Sequence, residues 1–546
     1  MIFSSPYQIE IPDVDVLTYL FGTPATSEDD FVFLDAEKHT NGFSKTELEE
    51  SVKRLAGGLR EIIKLQDNNV VLAYTENSIW YPVIILAAIC AGGVFTGANP
   101  MYTSMELIHH LKLSGATCVF TDPQRINTAI QAADAVGLPR TSIIIATRDS
   151  QTTVQGFYRI PDLLGNPYSW EVINDPEVLD NKVAVLNFSS GTTGNPKACM
   201  ITHRNLVANS EQQLHLAEVA RRRSPSLEYA VTGTHCAFLP LYHASGLITY
   251  CIINVRMSCK TAVMRKFSLK LFLDTIQRLH VTDLLLAPPV ALLLAKSDLT
   301  LQYDLSSVRL LLCGAAPLRP ELSKQLEAVF GNGKVRSRQG WGMTEATMAA
   351  TLFAPDEFDP SHRGVGYLLP NMEMKIIKGN GQQAGYDEEG EALIRGPNIF
   401  KGYHRNPKAS QEIWFEDGWL KTGDIVIFDK SGLLTVVDRK KELIKVKGFQ
   451  VAPSEIEGAL LEHEGVRDCA VVRVVLDGQE HPKAFIVPRD DQVTVASILT
   501  FLETRLSAYK RLTGGVIFVH TIPKSPSGKI LRRLLQNSVL KGSAHL

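Results

Sequence analysis

Nine residues carry the plainest chemical signal in the chain: Ser189, Ser190, Gly191, Thr192, Thr193, Gly194, Asn195, Pro196 and Lys197. Glycine admits a ligand close to the backbone, and hydroxyls with free N–H groups suit phosphate oxygens. Lys197 adds a compact positive charge for the same target. The spacing is not G-x-x-x-x-G-K-[ST], so the stretch is not the phosphate loop of a hydrolysing NTPase. Its flanks differ as well. Apolar runs at 183–188 and 198–201 read as two strands, and Thr202 reads as the N-cap of a helix over 205–219. Strand–loop–strand would hold phosphates with no helix dipole behind them. Taken alone, a solvated turn rich in Ser, Thr and Gly is the competing reading.

Other residues are ambiguous by themselves. Lys529 ends the loop Lys524, Ser525, Pro526, Ser527, Gly528, which has no intrinsic order and precedes a helix-like stretch at 530–536. In isolation it reads as a solvated surface charge. His243 follows an apolar run, where a lone histidine is usually structural. Thr344 and Glu345 could simply cap a helix start. The basic run Arg439, Lys440, Lys441, Lys445, Lys447 is interrupted by Glu442, Leu443, Ile444 and Val446, which fits a solvated strand face better than a nucleic-acid patch.

The elements that must position these residues alternate. From Asn69, strands at 70–74, 94–97, 117–121 and 142–147 are separated by helices at 78–91, 104–113 and 125–136, the pattern of a parallel sheet with crossovers. Short strands at 236–239, 261–264, 282–286 and 310–313, with helices at 269–280 and 318–330, imply a second such sheet. The hydroxyl-rich loop would then lie at their junction, where strand ends gather ligands. After residue 353 glycine rises and short strands suggest a small antiparallel barrel, with a hairpin turn at Asp429, Lys430, Ser431, Gly432. Past Asp438 comes mixed α and β. The expectation is an α/β protein. Its large N-terminal domain (1–438) holds two parallel α/β sheets plus a small antiparallel β-barrel (about 354–438), and a small mobile α+β C-terminal domain spans 439–546.

With 546 residues the chain exceeds one ordinary core. A formal net charge of −2 gives no support for bulk attraction to nucleic acid. The 8 cysteines show no CxxC or Cys/His spacing, which points to a reducing compartment and no structural zinc. The uncharged run 80–100 approaches spanning length, but Pro82 and the pair Gly92, Gly93 make it a buried helix, a stop and a strand; no transmembrane segment is expected. Ala544, His545, Leu546 match a loosened peroxisomal tail, implying a peroxisomal import receptor as partner and otherwise a cytoplasmic location.

Taken together, the motifs resemble the adenylate-forming superfamily of acyl-CoA synthetases, 4-coumarate–CoA ligases and firefly-type luciferases, from about Asn69 to Ile530. The opening loop matches its SSGTTGxPK phosphate loop. FLPLYHASG at 238–246 matches the segment leading to the acyl pocket. Gly314, Ala315, Ala316, Pro317 and the run Gln339, Gly340, Trp341, Gly342, Met343, Thr344, Glu345 match the nucleotide-binding pair. GWLKTGD at 418–424, Asp438–Arg439 with KVKGFQ at 445–450, and the stretch 523–529 complete the set. In this family a carboxylate attacks the α-phosphorus of ATP, and CoA then displaces AMP from the acyl-adenylate. The resemblance implies that the loop and Lys197 wrap the β/γ-phosphates, Thr344 donates to the α-phosphate, and Glu345 holds Mg²⁺. It assigns Asp424 and Arg439 to the ribose, Gly314–Pro317 and Trp341 to the adenine, and Lys445 and Gln450 to the adenylate. Lys441 would be the hinge, Lys447 and Gly448 the border of the CoA channel, and Lys529 the catalytic bridge between carboxylate and α-phosphate. His243 would line the acyl site and reorient for thioester formation.

Ser245, Thr249, Tyr250, Leu311, Leu312, Cys313, Gly340, Thr347 and Met348 are the candidate pocket residues. They favour a hydrophobic acid: aromatic, medium-chain or polyketide-type. Ala198 stands where the family more often has glycine. A stand-alone enzyme that loads a carrier protein, and a non-catalytic scaffold, are the alternatives to a CoA ligase. The second predicts lost catalytic residues, whereas Thr344, Glu345, Asp424, Arg439, Gln450 and Lys529 are all present.

Overall fold

Val70–Tyr74 is an unbroken apolar run, as expected of a parallel strand covered on both faces, and it lies fully buried at the centre of a seven-stranded sheet. In this computed structural model the described residues are 1–23, 30–147, 156–189, 196–224, 233–314, 317–330, 335–446, 449–476, 479–490, 492–525 and 528–540. The first sheet runs Lys197–Thr202, Val183–Ser189, Val94–Gly97, Val70–Tyr74, Ala116–Thr121, Ile143–Ile145, Tyr158–Arg159. All its pairs are parallel except the first, an antiparallel hairpin. The uncharged run resolves into the wholly buried helix Trp80–Cys90 and the strand Val94–Gly97, with Gly92 at φ 74° breaking the helix between them. Among the described residues no helix is long and apolar enough to cross a membrane.

The second sheet runs Ser337–Gln339, Leu310–Cys313, Asp283–Leu286, Thr234–Ala237, Lys260–Val263, Phe31–Asp35, Gly42–Ser44. A third, antiparallel sheet joins Phe3–Ser4, Glu373–Ile377, Glu389–Arg395, Trp419–Phe428 and Trp414–Phe415, with Leu434–Arg439 paired to Trp419–Phe428. The turn between the last pair is as expected: Asp429 Oδ1 accepts from Ser431 and Leu433, and Gly432 has φ 87°. The C-terminal domain packs Val466–Leu476, Gln479–Pro488 and Val516–Phe518 against the helices Pro453–Leu461, Val495–Glu503 and Arg532–Leu540, around apolar clusters of its own.

Three corrections concern boundaries. The helix expected at 104–113 is Ser104–Ser114, capped by Thr103 through a capping box with Glu106. The helix capped by Thr202 is longer than periodicity implied, His203–Arg223. The last helix begins at Arg532, because Ile530 is tied to Lys524 in an antiparallel bridge.

Candidate active site

Ser189 and Lys197 are directly opposed across the hairpin, so the hydroxyl-rich loop is closed between two paired strands. Its residues Ser190, Gly191, Thr192, Thr193, Gly194 and Asn195 lie outside the described set, as do Ala315, Ala316, Lys447, Gly448, Ala544, His545 and Leu546. From the hairpin a polar line leads inward. Lys197 Nζ sits 4.9 Å from the centre of the Tyr403 ring, and the Tyr403 hydroxyl donates to Glu345 Oε1 at 2.8 Å. Burial and the Glu345 charge push the Tyr403 phenol up, so it remains a donor. Glu345 is 6% exposed, in the short 3-10 turn Thr344–Ala346. Met343 occupies the cap position of that turn with no side-chain bond, so the cap reading of Thr344 and Glu345 does not hold. Tyr403 was not legible from sequence: it comes from a loop 58 residues from Glu345, with no spacing to connect the two.

A second group gathers around Asp424, which is 3% exposed in Trp419–Phe428. Trp341 Nε1 donates to its Oδ2 at 2.9 Å, and Arg439 Nε lies 3.2 Å from its Oδ1. Asp424 and Arg439 are also backbone partners across the hairpin. Burial raises the Asp424 carboxyl, while Arg439 and the Trp341 donor oppose that rise. At the strand ends of the second sheet, Gly314 N–H bonds to Leu286, and Gln339 links Leu318 N–H to the His362 carbonyl. Gly340 N–H bonds to Cys313. Gly342 passes so close to the Met348 carbonyl that a Cβ would stand 1.8 Å from it. Pro317 is exposed beside this edge.

The predicted pocket residues partly converge. His243 precedes a helix that widens into a π-helical turn over Leu247–Ile253, a distortion frequent at functional sites. Burial pushes the His243 imidazole down to about 4, so it is neutral at physiological pH. Thr249 Oγ1 reaches Met348 Sδ at 3.6 Å. Tyr250 is buried with its hydroxyl on the Cys236 carbonyl, Cys313 is buried, and Ser245 is half-buried.

Lys529 is no surface charge here. The residues flanking its loop are tied together: Ser525 N–H bonds to the Lys529 carbonyl at 2.8 Å, Lys529 N–H to Ser525 Oγ at 3.1 Å, and Leu531 N–H to Pro523 at 2.9 Å. Gly528 has φ 84° and rests on Pro289 of the helix Pro288–Lys296, where a Cβ would come within 2.6 Å of the proline ring. The ammonium is partly buried and feels the charges of Arg439, Glu442, Asp424 and Glu345; burial first, then Arg439, lowers it to about 8. Lys441 is lowered by burial and by the charge of Lys197. Lys445, by contrast, is exposed in Ile444–Val446, where its N–H donates to Glu480 and its backbone opposes Gln450. Among the described contacts none joins Lys445 to Asp424 or Lys529.

With a hairpin flanking the hydroxyl-rich segment, the buried Asp424–Arg439 pair and Lys529 in place, the fold is that of an adenylate-forming enzyme. The chain belongs to the AMP-binding enzyme family: that family's model matches residues 23–404, and the model of its C-terminal domain matches 455–529. Among similar proteins, a phenylacetyl-CoA ligase of Aspergillus niger is 35% identical over 547 residues, covering 98% of this chain and 99% of that protein. The 4-coumarate–CoA ligase 1 of Arabidopsis thaliana is 36% identical over 487 residues, covering 88% and 84%. Among solved structures, ATP-bound MatB from Rhodopseudomonas palustris superposes with a TM-score of 0.84 at 26% identity, covering 96% of this chain and 98% of that one. The apo form of the same protein gives 0.73.

Proposed function

We propose that this AMP-forming acid–CoA ligase activates a hydrophobic, aromatic carboxylic acid, using Lys529 for the adenylation step. The observation that carries the reading is the buried Asp424 carboxylate bonded to Trp341 and paired with Arg439, with the Lys529 ammonium in their field. The substrate carboxylate attacks the α-phosphorus, the bond to the bridging oxygen breaks, and pyrophosphate leaves the acyl-adenylate. The CoA thiolate then attacks the acyl carbon and AMP departs. Asp424 would hold the ribose hydroxyls, Arg439 would pair with it, and Lys529 would bridge carboxylate and α-phosphate oxygens as charge builds there. Ser189, Lys197 and the loop between them would grip the pyrophosphate half, and Thr344 would donate to the α-phosphate.

Glu345, with one oxygen held by Tyr403, has the hard donor that Mg²⁺ takes together with substrate phosphates. The metal would supply charge neutralisation on those oxygens. Neutral His243, Ser245, Thr249 and Met348 would face the acyl group. We place the domain boundary near 438/439, with Lys441 as its hinge, Lys447 and Gly448 at the CoA channel, and Gln450 on the adenylate.

The aromatic class rests on the relatives named for phenylacetate and 4-coumarate. The same relatives favour CoA over a carrier protein as acceptor. Pyrophosphate release by the purified enzyme, screened over arylacetic, cinnamic, medium-chain and long-chain acids with and without CoA, tests both points. Release stimulated by CoA is expected with aryl acids; turnover with aliphatic acids alone would reassign the pocket. The tail Ala544, His545, Leu546 supports a peroxisomal location. A tagged chain lacking these three residues is expected to become diffuse in the cytoplasm, and unchanged localisation would remove the assignment.

A further inference from the structure

Between Glu345 and Met348 the backbone does something costly. Thr347 has φ 66° and ψ −53°, and across it Met348 N–H donates to the Ala346 carbonyl at 2.7 Å. That is a γ-turn of the rare, strained hand, centred on a β-branched residue. Such a conformation persists only where its surroundings over-determine it.

Three amides do so, and all are fully buried: Asn209, Gln212 and Asn398. Asn398 Nδ2 donates to the carbonyls of Ala346 at 3.0 Å and Ala349 at 2.9 Å, and the Asn398 backbone carbonyl accepts Thr347 Oγ1 at 2.6 Å. Gln212 Nε2 holds Asn398 Oδ1 at 3.2 Å and the Pro370 carbonyl at 2.7 Å. Asn209 Nδ2 bonds to Gln212 Oε1 and to the Ala349 carbonyl. The clamp thus grips the chain on both sides of Thr347. Glu345 lies on one side of the turn with Tyr403 on its carboxylate, and Met348 lies on the other against Thr249. If Thr347 relaxed to negative φ, the two could not keep both contacts.

We propose that Asn398 and Thr347 are positioning residues that lock the offset between the Glu345 carboxylate and the acyl-pocket residue Met348, and so couple metal–nucleotide binding to acid selectivity. The proposal rests on the ligase reading above. Its test separates the two, because wild-type enzyme that releases pyrophosphate with no acid defeats the reading, whereas an active wild type with unaltered variants defeats the clamp.

The variants are Asn398→Ala, Thr347→Val, which keeps the shape but loses the hydroxyl donor, and Asn398→Ala with Thr347→Gly. Two quantities are read on folded protein of matched thermal melting: the tightening of ATP binding by Mg²⁺ in calorimetry, and the kcat/KM ratio between an aryl and a medium-chain acid. Asn398→Ala is expected to reduce the Mg²⁺-dependent tightening by about tenfold and to shift the acid ratio at least several-fold, with Thr347→Val in the same direction. Glycine at 347 adopts positive φ without strain, so the double variant is expected to regain much of both. Unchanged Mg²⁺ dependence and acid ratio in both single variants, or a loss that glycine does not recover, overturns the proposal. Should Asn398→Ala not fold, Thr347→Val alone decides it.

Discussion

Replacing Lys529 by alanine is expected to slow acyl-adenylate formation by roughly 10²–10³-fold, equivalent to ~3–4 kcal/mol, the size found for one preorganised charge donor. Thioester formation from supplied acyl-adenylate should change far less, since the role proposed for Lys529 lies in the phosphoryl transfer alone. Rapid-quench measurement of the two half-reactions checks this, and equal losses in both would sink the division of labour. The pH profile carries the same information. Burial and Arg439 hold the ammonium at about 8, so the free enzyme carries the charge below that pH and loses it above. Adenylation kcat/KM should therefore fall as pH rises through about 8, because that ratio reports groups of the free enzyme. Lys529→Arg, which cannot lose its proton in this range, should abolish that limb whatever its absolute rate.

Asp424→Ala should cost nearly as much, but in nucleotide recognition. It leaves the Trp341 N–H and the Arg439 guanidinium without the carboxylate they now share. Breaking a buried pair from one side typically costs about 3–5 kcal/mol. Arg439 has a side chain 32% exposed and can recover water, so a loss of ~2–3 kcal/mol of stability is the better expectation. Separately, the charged acceptor lost from the ribose hydroxyls is worth about 1.5–3 kcal/mol in binding, roughly ten- to a hundredfold in kcat/KM for ATP. The decisive comparison is ATP against 2′,3′-dideoxy-ATP. Wild type should discriminate strongly between them and Asp424→Ala hardly at all; a variant that still discriminates leaves the ribose to another residue.

How far the sequence led depended on where each interaction is made. The paired strands Val183–Ser189 and Lys197–Thr202 were legible because their signal is local: two apolar runs around a stretch of hydroxyls and glycines, with Thr202 capping the helix beyond the second. The parallel sheets were legible for the same reason, since fully buried strands are continuous apolar runs. The strands Phe31–Asp35 and Gly42–Ser44 went unread. The first pairs with Lys260–Val263, far along the chain, and nothing within either segment announces the other. Lys529 shows the same limit at the site. Its residue type and loop say surface, and only the resemblance to a family pointed inward, because the charges that face it, Arg439, Asp424 and Glu345, come from segments far along the chain. Tyr403 and Asn398 had no signal at all, being ordinary loop residues whose partners are carbonyls and a carboxylate elsewhere.

The seat of Gly528 on Pro289 has one more consequence. That contact has no slack, since even a methyl group would strike the ring at 2.6 Å. What holds Lys529 near 8 instead of 10.5 is foremost burial, with the charge of Arg439 second. Lifted from the proline, the same ammonium would sit in water and recover its ordinary affinity for a proton. The acidity of a single amine is therefore a gauge of touch between two parts of the chain, readable by titration without any substrate present.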